Sequence, residues 1–237
     1  MGQSYFIWKN KDCRAMGVKL SAPAAIIRPE ERAEHITIPG RSGDLTMLEG
    51  EDIYNSYIQT VTIMAHGAAR LREIYGWLRG AGYVTFSGEP DKKQEARIIG
   101  AVTLNRHSYN LDWWVGEVQF YCQPLKQLLN ESKVTISSSG STVYNAGDVT
   151  AMPKIKLTAS GTSATVAAGG KSLTITGLTS SSVYYIDSNS MEVFNNDLSA
   201  VLTGNSSGEF PVLKPGSNTV TGSGWSALEF ERRERFL

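Results

Sequence analysis

Apolar and polar residues alternate along much of the chain, and this alternation predicts a protein built mainly from β-strands. In the segment Ile53–Ala65, Val61 and Ile63 fall on one face of an extended chain, and Thr60 and Thr62 fall on the other. A period of two places successive side chains on opposite faces of a sheet. We therefore expect one long strand here, with the valine and the isoleucine in a core.

A second long strand is predicted around residue 118. Val118, Phe120 and Cys122 share one face of an extended chain, and Glu117 lies on the other. Cys122 is therefore expected to be a core residue. Pro124 has no backbone N–H to give to a ladder, so we expect it to end the strand.

One segment has the spacing of an amphipathic helix instead. Leu71, Ile74, Tyr75 and Leu78 recur at intervals of three and four residues, and glycines follow at positions 80 and 82. This pattern predicts a helix over about residues 67–80, with its apolar stripe on a face of the sheet. Its arginines form either a solvated face or part of an interface.

The composition changes near residue 130, where a charged, aromatic-rich part gives way to a part dominated by Ser, Thr, Gly and Val. Short β-branched runs separated by turn residues then recur, which is typical of an antiparallel β-sandwich. The predicted strands are Val134–Ser138, Thr142–Asn145, Lys154–Thr158, Ser172–Thr176, Val183–Ile186, Met191–Phe194, Asn218–Thr221 and Ala227–Arg232.

These patterns predict a mainly β (α+β) protein with two domains. We expect residues 1–130 to form a β-sandwich or split-barrel-like domain with one packed helix, and residues 131–237 to form the antiparallel β-sandwich. The chain has 237 residues, of which 41% are hydrophobic, so it can supply two ordinary cores.

The charge balance argues against two classes of function. There are 23 basic and 23 acidic residues, which gives a formal net charge of zero. Proteins that grip nucleic acid by neutralising phosphates are basic, and so are polybasic membrane patches. We therefore expect neither sequence-specific nucleic-acid binding nor membrane insertion, and no apolar run reaches transmembrane length.

Cys13 and Cys122 are the two cysteines of the chain. Secreted domains of this size often carry more, so we expect free, buried thiols and production in a cytoplasm. A single disulfide between the two is the alternative. The first residues have neither the basic nor the apolar region of a signal peptide, which agrees with cytoplasmic production.

A glycine-rich loop lies between two short apolar alternations that read as the strands of a hairpin. It is too long for a two-residue turn, so it is expected to be open and to hold its charged residues out to solvent or to a partner. A plain hairpin and a contact loop for assembly are both open readings. A catalytic loop is disfavoured because no nucleophile–base pair accompanies it. The candidate assembly residues are Pro39, Gly40, Arg41, Ser42, Gly43 and Asp44.

Three tryptophans are candidates for an interface or for stacking. Trp113 and Trp114 are neighbours in a predicted strand, so one of them is expected to point away from the core. That ring has three open readings: packing under the helix, contact with another subunit, or stacking on a sugar. Trp225, in the second half, is a further stacking candidate.

No set of residues has the pattern of a catalytic or metal site. The three histidines, His35, His66 and His107, are far apart and lack metal-ligand spacing. Gly204–Gly208 matches the G-x-S-x-G pattern, but a nucleophile elbow needs a following helix, which the prolines after it exclude. We therefore expect a polar turn there, no enzyme, no metal and no cofactor.

Several separated motifs together resemble the distal tail protein (Dit) family of bacteriophages with long, non-contractile tails. In the first half the motifs are Met16-Gly-Val, Ile38-Pro-Gly-Arg-Ser-Gly-Asp-Leu45, the Leu71–Gly80 helix, Gly88-Glu-Pro-Asp91 and Val118-Gln-Phe-Tyr-Cys-Gln-Pro124. In the second half they are Asn145-Ala-Gly-Asp148, Ala151-Met-Pro153, Tyr185-Ile-Asp187, Gly208-Glu-Phe-Pro211, Leu213-Lys-Pro-Gly-Ser-Asn218 and a last strand at Glu231-Arg-Arg-Glu-Arg235.

The resemblance implies a structural virion protein of a phage or prophage. The first domain would form a homo-hexameric ring that continues the tail tube and leaves a channel for DNA. The second would be a galectin-like β-sandwich outside the ring, a fold that does not by itself imply sugar binding. The implied partners are the tail-tube protein, the tail-associated hub protein and, in some relatives, a receptor-binding protein. The implied location is the virion tail tip, after assembly in the host bacterial cytoplasm.

The alternative function belongs to another class. A β-sandwich adhesion protein that binds host carbohydrate would use exposed tryptophans, here Trp113, Trp114 or Trp225, as stacking platforms. Binding of glycans by residues 133–237 alone would distinguish it from a tail-hub protein.

Overall fold

The structure is a computed structural model that describes residues 4–108, 112–197 and 202–237. Its backbone contacts divide the chain into two compact units, residues 1–129 with Leu237, and Asn130–Phe236. The mainly β fold class predicted from the sequence is confirmed. Within the described ranges, no helix is both long and apolar enough to cross a membrane.

In the part of the chain that the structure describes, the first unit contains nine strands and one short helix. In chain order these are β1 (Phe6–Trp8), β2 (Lys11–Asp12), β3 (Val18–Leu20), β4 (Ala33–Thr37), β5 (Asp44–Leu48), β6 (Tyr57–His66), a 3₁₀ turn (Ala68–Arg70), α1 (Leu71–Trp77), β7 (Ala81–Phe86), β8 (Lys92–Ser108) and β9 (Trp113–Leu128).

Seven of these strands form one antiparallel sheet in the order β2-β1-β7-β8-β9-β6-β3. The two end strands are neighbours in sequence, joined by a tight turn after Cys13. The Val18 N–H donates to the Cys13 carbonyl at 2.9 Å, and the Cys13 N–H donates to the Phe6 carbonyl at 3.0 Å. The sheet therefore curls round until its two ends approach each other, as in a split barrel.

The concave face of this sheet holds the core. Val61 and Ile63 of β6 are buried, as are Val118, Phe120 and Cys122 of β9. The period-two predictions for both long strands are thus confirmed. The buried side of α1 covers this core with Ile74, Trp77 and Leu78. Ile74 and Leu78 belong to the predicted stripe, whereas Trp77 was not predicted and the stripe residue Tyr75 is exposed.

One local expectation in the first unit, the strand end at Pro124, is wrong. β9 continues past Pro124 to Leu128, and the proline lies where the β8–β9 pairing jumps from Ala96–Cys122 to Gln94–Lys126. A residue without an N–H is tolerated where the ladder is interrupted.

The second unit contains β10 (Val134–Ile136), β11 (Ser141–Asn145), β12 (Lys154–Ala159), β13 (Ser163–Ala168), β14 (Lys171–Thr176), β15 (Val183–Asp187), β16 (Glu192–Asn195), a 3₁₀ turn (Thr203–Asn205), β17 (Ser206–Gly208), β18 (Gly216–Ser223), β19 (Trp225–Glu231) and β20 (Arg235–Phe236). All eight strands predicted here are present, within a few residues of their predicted ends.

Among the described residues, ten of these eleven strands form two five-stranded sheets, in the orders β10-β19-β12-β15-β16 and β11-β18-β13-β14-β17. Leu157 and Phe230 of the first sheet share one buried cluster with Val166 and Leu173 of the second. Two antiparallel sheets that face each other across one core form a β-sandwich, which is the predicted architecture.

The charged run Glu231–Arg235 is not one continuous strand. β19 ends at Glu231, and Arg233 adopts a left-handed backbone with φ of 54°. The Arg232 Nη1 contacts the buried Glu234 Oε1 at 2.8 Å, and Arg233 forms an ion pair with Asp187. These charges fix the end of the sandwich, because buried carboxylates need partners.

Candidate assembly surface

The hairpin of β4 and β5 lies outside the curled sheet and forms a two-stranded sheet of its own. At its base, the Arg32 N–H donates to the Ile53 carbonyl at 2.9 Å, and the Asn55 N–H donates to the Glu30 carbonyl at 2.8 Å. Arg32 and Glu49 form an exposed ion pair at 3.6 Å. We call residues 31–55 the arm.

One face of the arm is polar over most of its length and satisfies its own hydrogen bonds, with the pair Ala33 and Leu48 at its base. His35 Nδ1 and Thr46 Oγ1, which are paired across the strands, lie 3.1 Å apart. The Thr37 hydroxyl donates to Asp44 Oδ1 at 2.8 Å. These cross-strand contacts hold the register of the hairpin.

The other face of the arm is apolar. Ile36 lies directly opposite Leu45, and the next pair on the same face is Glu34 and Met47. Ile38, which directly follows β4, continues this alternation toward the tip. The hairpin is therefore amphipathic, with an aliphatic face of two isoleucines, a leucine and a methionine.

This aliphatic face has no cover within the part of the chain that the structure describes. Every residue from Glu34 to Ile53 is exposed, with Leu45 at 39% and Met47 at 51% of full exposure. None of the arm's aliphatic side chains belongs to either buried cluster. A two-stranded hairpin is marginally stable alone in water, so an exposed aliphatic face on one indicates a binding surface.

The six predicted loop residues form the tip of the arm. Gly40 and Gly43 have φ of 82° and 79°, values that favour glycine, and the Arg41 N–H donates to the Ile38 carbonyl at 3.1 Å. Pro39, Ser42 and Asp44 are exposed with them, and Asp44 is also the first residue of β5. The loop therefore projects into solvent as predicted, and its role in assembly stays a prediction.

The arm and the rest of its unit carry opposite charge. The arm holds six acidic and two basic side chains, a net charge of −4. The remainder of residues 1–129 holds thirteen basic and eight acidic side chains, a net charge of +5. A nearly neutral unit is thus divided into an acidic projection and a basic body.

Part of the positive charge gathers beside the end of α1. Lys9 Nζ donates to the Arg79 carbonyl at 2.8 Å, and the Lys9 N–H donates to the Tyr83 carbonyl at 3.1 Å. Lys93 Nζ lies 5.0 Å from the centre of the Tyr83 ring, which is 42% exposed. We call Lys9, Arg79, Tyr83 and Lys93 the basic patch. Glu95 lies opposite Tyr83 in β8, so the patch is not uniformly positive.

The tryptophan candidates occupy three different environments. Trp113 is half-buried, with its ring edge-to-face with His66 at 5.1 Å and Lys19 Nζ 5.6 Å from its centre. Trp114 packs against the core, and its indole N–H donates to Asp112 Oδ1 at 3.0 Å.

Trp225 lies in the sandwich core, where it is 8% exposed and donates its indole N–H to the Thr165 carbonyl at 3.1 Å. A ring in that position does not offer a surface for stacking on a sugar. The sequence signal for this burial was weak, because a tryptophan that opens a strand can face either way.

Among the described residues, the cysteines, the potential metal ligands and the G-x-S-x-G serine do not form a reactive or metal-binding site. Cys13 and Cys122 are free and buried, and burial raises the pKa of Cys122 to about 12. No group of three or more potential metal-ligating side chains occurs among the described residues. Ser206 begins β17 rather than a helix, so the G-x-S-x-G segment lacks the context of a nucleophile elbow.

An open groove of about 500 Å³ lies over the β6–β8–β9 face and is lined by Thr62, Thr103, Asn105, Glu117 and Gln119 among others. It follows the irregular pairing of β8 with β9 near residues 99–103. Glu117 is the one carboxylate in the lining, and the lining contains no histidine or cysteine. The groove therefore has no paired groups for acid–base or nucleophilic chemistry.

Comparison with known proteins gives an informative match to a solved structure. No protein-family model matches the chain, and neither does any curated protein. Among solved structures, the chain is similar to the crystal structure of the SPP1 Dit (gp 19.1) protein, described as a paradigm of the hub adsorption apparatus in phages that infect Gram-positive bacteria. The TM-score is 0.81 over the whole of both chains, at 17% sequence identity. The chain therefore has the fold of a phage distal tail protein.

Proposed function

We propose that this chain is a structural virion protein, the distal tail protein of a phage or prophage with a long, non-contractile tail. The observation that carries the proposal is the full-length fold match to the SPP1 Dit protein, together with sequence motifs of the same family spread over both halves. A fold alone does not fix a function, so the proposal also rests on the exposed arm.

In this proposal six copies form a ring through the first unit. A ring needs a heterologous contact, in which one surface of each subunit meets a different surface of the next. The acidic arm and the basic body are two such surfaces on one unit. The arm tip, from Pro39 to Asp44, takes part in the contact. The ring leaves a central channel through which DNA passes.

The ring would join the tail tube on one side to the tail-associated hub protein on the other, and a receptor-binding protein is a further partner. The second unit would be the galectin-like β-sandwich outside the ring. The protein would assemble in the host cytoplasm and act at the tail tip of the virion. We propose no catalytic activity and no cofactor, because assembly alone accounts for the surfaces described.

Binding of host carbohydrate remains the alternative function, and it has less support. Of its three stacking candidates, Trp225 is buried and Trp114 packs against a core. Trp113 keeps a partly exposed ring, but it belongs to the first unit rather than to the sandwich. A glycan array with the whole chain tests this alternative, and saturable binding abolished by Trp113→Ala would favour it.

The direct test of the ring combines light scattering over a range of concentrations with negative-stain images of the same fractions. A particle of six subunits with a central hole supports the proposal. Particles of another symmetry, or monomers at every concentration alone and with the tail-tube protein, count against it. Replacing Arg41 and Asp44 by alanine should weaken the ring, and an unchanged ring would refute a role for the arm tip.

A further inference from the structure

The arm has a feature that a simple spacer would not need: a continuous aliphatic face that nothing in the described chain covers. Ile36, Ile38, Leu45 and Met47 form this face, and the polar side chains of the opposite face already bond to each other. The free energy gained by covering aliphatic side chains is roughly 25 cal/mol per Å² of buried area. The aliphatic face is therefore the side of the arm that gains from contact.

The charges of the arm point to the surface that covers this face. Glu34 stands at the edge of the aliphatic face, opposite Met47, and Glu51 follows β5. Neither carboxylate forms an ion pair within the described residues. Charge complementarity steers association and disfavours wrong partners, so a matching surface should be basic and should offer an apolar or aromatic contact.

The basic patch has both properties. Lys93 Nζ lies over the partly exposed ring of Tyr83, and Lys9 is tied to the main-chain carbonyls of Arg79 and Tyr83 beside it. Aromatic side chains and arginine are enriched at protein interfaces, and the two lysines of the patch add positive charge that complements the arm. The patch and the arm belong to the same chain, so every copy carries both halves of the contact.

We infer that the aliphatic face of the arm of one copy docks on the basic patch of the next copy. The inference rests on the proposed ring and deepens it, because it names the two surfaces that meet. Such a contact is heterologous, so the same contact repeats from each copy to the next. The copies form a closed ring when the rotations between neighbours add up to a full turn. It also supplies the second layer that an isolated hairpin lacks.

Charge reversal tests the contact one half at a time. The arm variant carries Glu34→Lys with Glu51→Lys, and the patch variant carries Lys9→Glu with Arg79→Glu. All four side chains are exposed, so both variants should fold, which circular dichroism and thermal unfolding will check. A control variant with Lys171→Glu and Glu209→Lys reverses two exposed charges in the second unit.

The expected results follow from the head-to-tail geometry. Each variant alone should be monomeric at concentrations where the wild-type and control chains form rings. An equal mixture should form rings again with the two variants alternating, because the acidic arm of the patch variant matches the basic patch of the arm variant, and the basic arm of the arm variant matches the acidic patch of the patch variant. A chain with all four reversals should form rings again.

Thiol labelling gives an independent readout of what covers the arm. Leu45→Cys should react with a maleimide in the monomeric variants and be protected at least tenfold in the ring, whereas Lys171→Cys should react equally in both. Equal labelling of Leu45→Cys in rings and monomers would assign the aliphatic face to another occupant and overturn the inference.

The outcomes separate the inference from the function on which it rests. If both reversal variants still form rings like those of the wild-type chain, the arm contact is overturned and the ring proposal stands. A wild-type chain that stays monomeric at every concentration, alone and with the tail-tube protein, would count against the ring and the contact together.

Discussion

The indole nitrogens of Trp8 and Trp77 each donate a hydrogen bond to the main-chain carbonyl of the other residue. The distances are 3.2 Å from Trp8 Nε1 to the Trp77 carbonyl and 3.1 Å for the reverse bond. Both residues are buried, and the Trp77 ring also stacks on Phe6 at 5.5 Å with an interplanar angle of 4°. This reciprocal pair fastens the end of α1 to β1 in the centre of the first core.

Removing one of these indole donors should lower the free energy of unfolding even when an aromatic ring still fills the core position. Trp77→Phe keeps an aromatic ring but leaves the buried Trp8 carbonyl without its indole partner. An unsatisfied buried group costs about 1–3 kcal/mol, so the free energy of unfolding in urea should fall by about this amount or more. Trp113→Phe is the matched control, since the indole N–H of Trp113 makes no hydrogen bond in the described structure. Equal losses in the two variants would contradict the assigned role.

Two glycines of the first unit should respond to alanine in opposite directions. A Cβ at Gly116 in β9 would collide with the main-chain carbonyl of Thr103, whereas a Cβ at Gly76 in α1 would meet no atom within 4 Å. Gly76→Ala should therefore stabilise the protein by about 0.5–1 kcal/mol, and Gly116→Ala should destabilise it by roughly 1–3 kcal/mol. Thermal unfolding of both variants checks the signs, and a neutral Gly116→Ala would refute the close approach of β8 and β9.

Strand periodicity and helical spacing could be read from single segments because each depends on a local pattern. The burial of Val61, Ile63 and Phe120 follows from a period of two, and that of Ile74 follows from helical spacing. Pro124 was misjudged because its tolerance depends on a break in the pairing with a strand far away in sequence. Nothing in the residues near the proline encodes that break.

Only part of the candidate surface could be predicted from the sequence, because the rest depends on pairing between strands that are far apart in the sequence. The alternation of Ile36 with Ile38, and of Leu45 with Met47, looks the same in a strand that packs on a core and in one that projects from it. Which case applies depends on whether β4 and β5 pair with the large sheet, and they do not. The glycine-rich tip was identified because its chemistry is local, whereas the aliphatic face and the basic patch required the structure.

The ion pair of Asp187 and Arg233 should make the second unit sensitive to acid. Arg233 Nη1 and Nη2 lie 2.7 and 2.9 Å from the two carboxylate oxygens. Burial acts to raise the pKa of Asp187, but the hydrogen bonds and charge of Arg233 and two backbone N–H groups outweigh it, so the pKa lies below 3.8.

A carboxylate whose pKa is lowered on folding adds stability above its unfolded pKa and loses it as the pH falls through the folded value. The wild-type chain should therefore lose stability below about pH 4 more steeply than Asp187→Asn, which lacks the titrating group. At pH 7 Asp187→Asn should be less stable by roughly 1.5–3 kcal/mol, since hydrogen bonds to charged groups contribute about this much. Parallel acid-unfolding profiles of the two chains would contradict this account.

The two native thiols should stay unreactive while the protein is folded. Burial raises the pKa of Cys13 above 9.0 and that of Cys122 to about 12, so neither supplies the thiolate that reacts with iodoacetamide near pH 8. Ser42→Cys, at the exposed arm tip, should react rapidly under the same conditions. In urea the native thiols should become reactive along the unfolding transition, and mass spectrometry will count the labels.

Because folding raises the pKa of Cys122, the ionisation of this thiol should change the stability of the protein at alkaline pH in a definite direction. The unfolded thiol ionises near pH 9, whereas the folded thiol stays neutral until about pH 12. Its contribution to stability is therefore complete below pH 9 and is lost as the pH rises through that window. Cys122→Ala removes this contribution, so the difference in stability between wild type and variant should shrink from pH 9 to pH 11. A constant difference over that range, or rapid labelling of the native chain at pH 8, would show that the thiol of Cys122 is accessible to water.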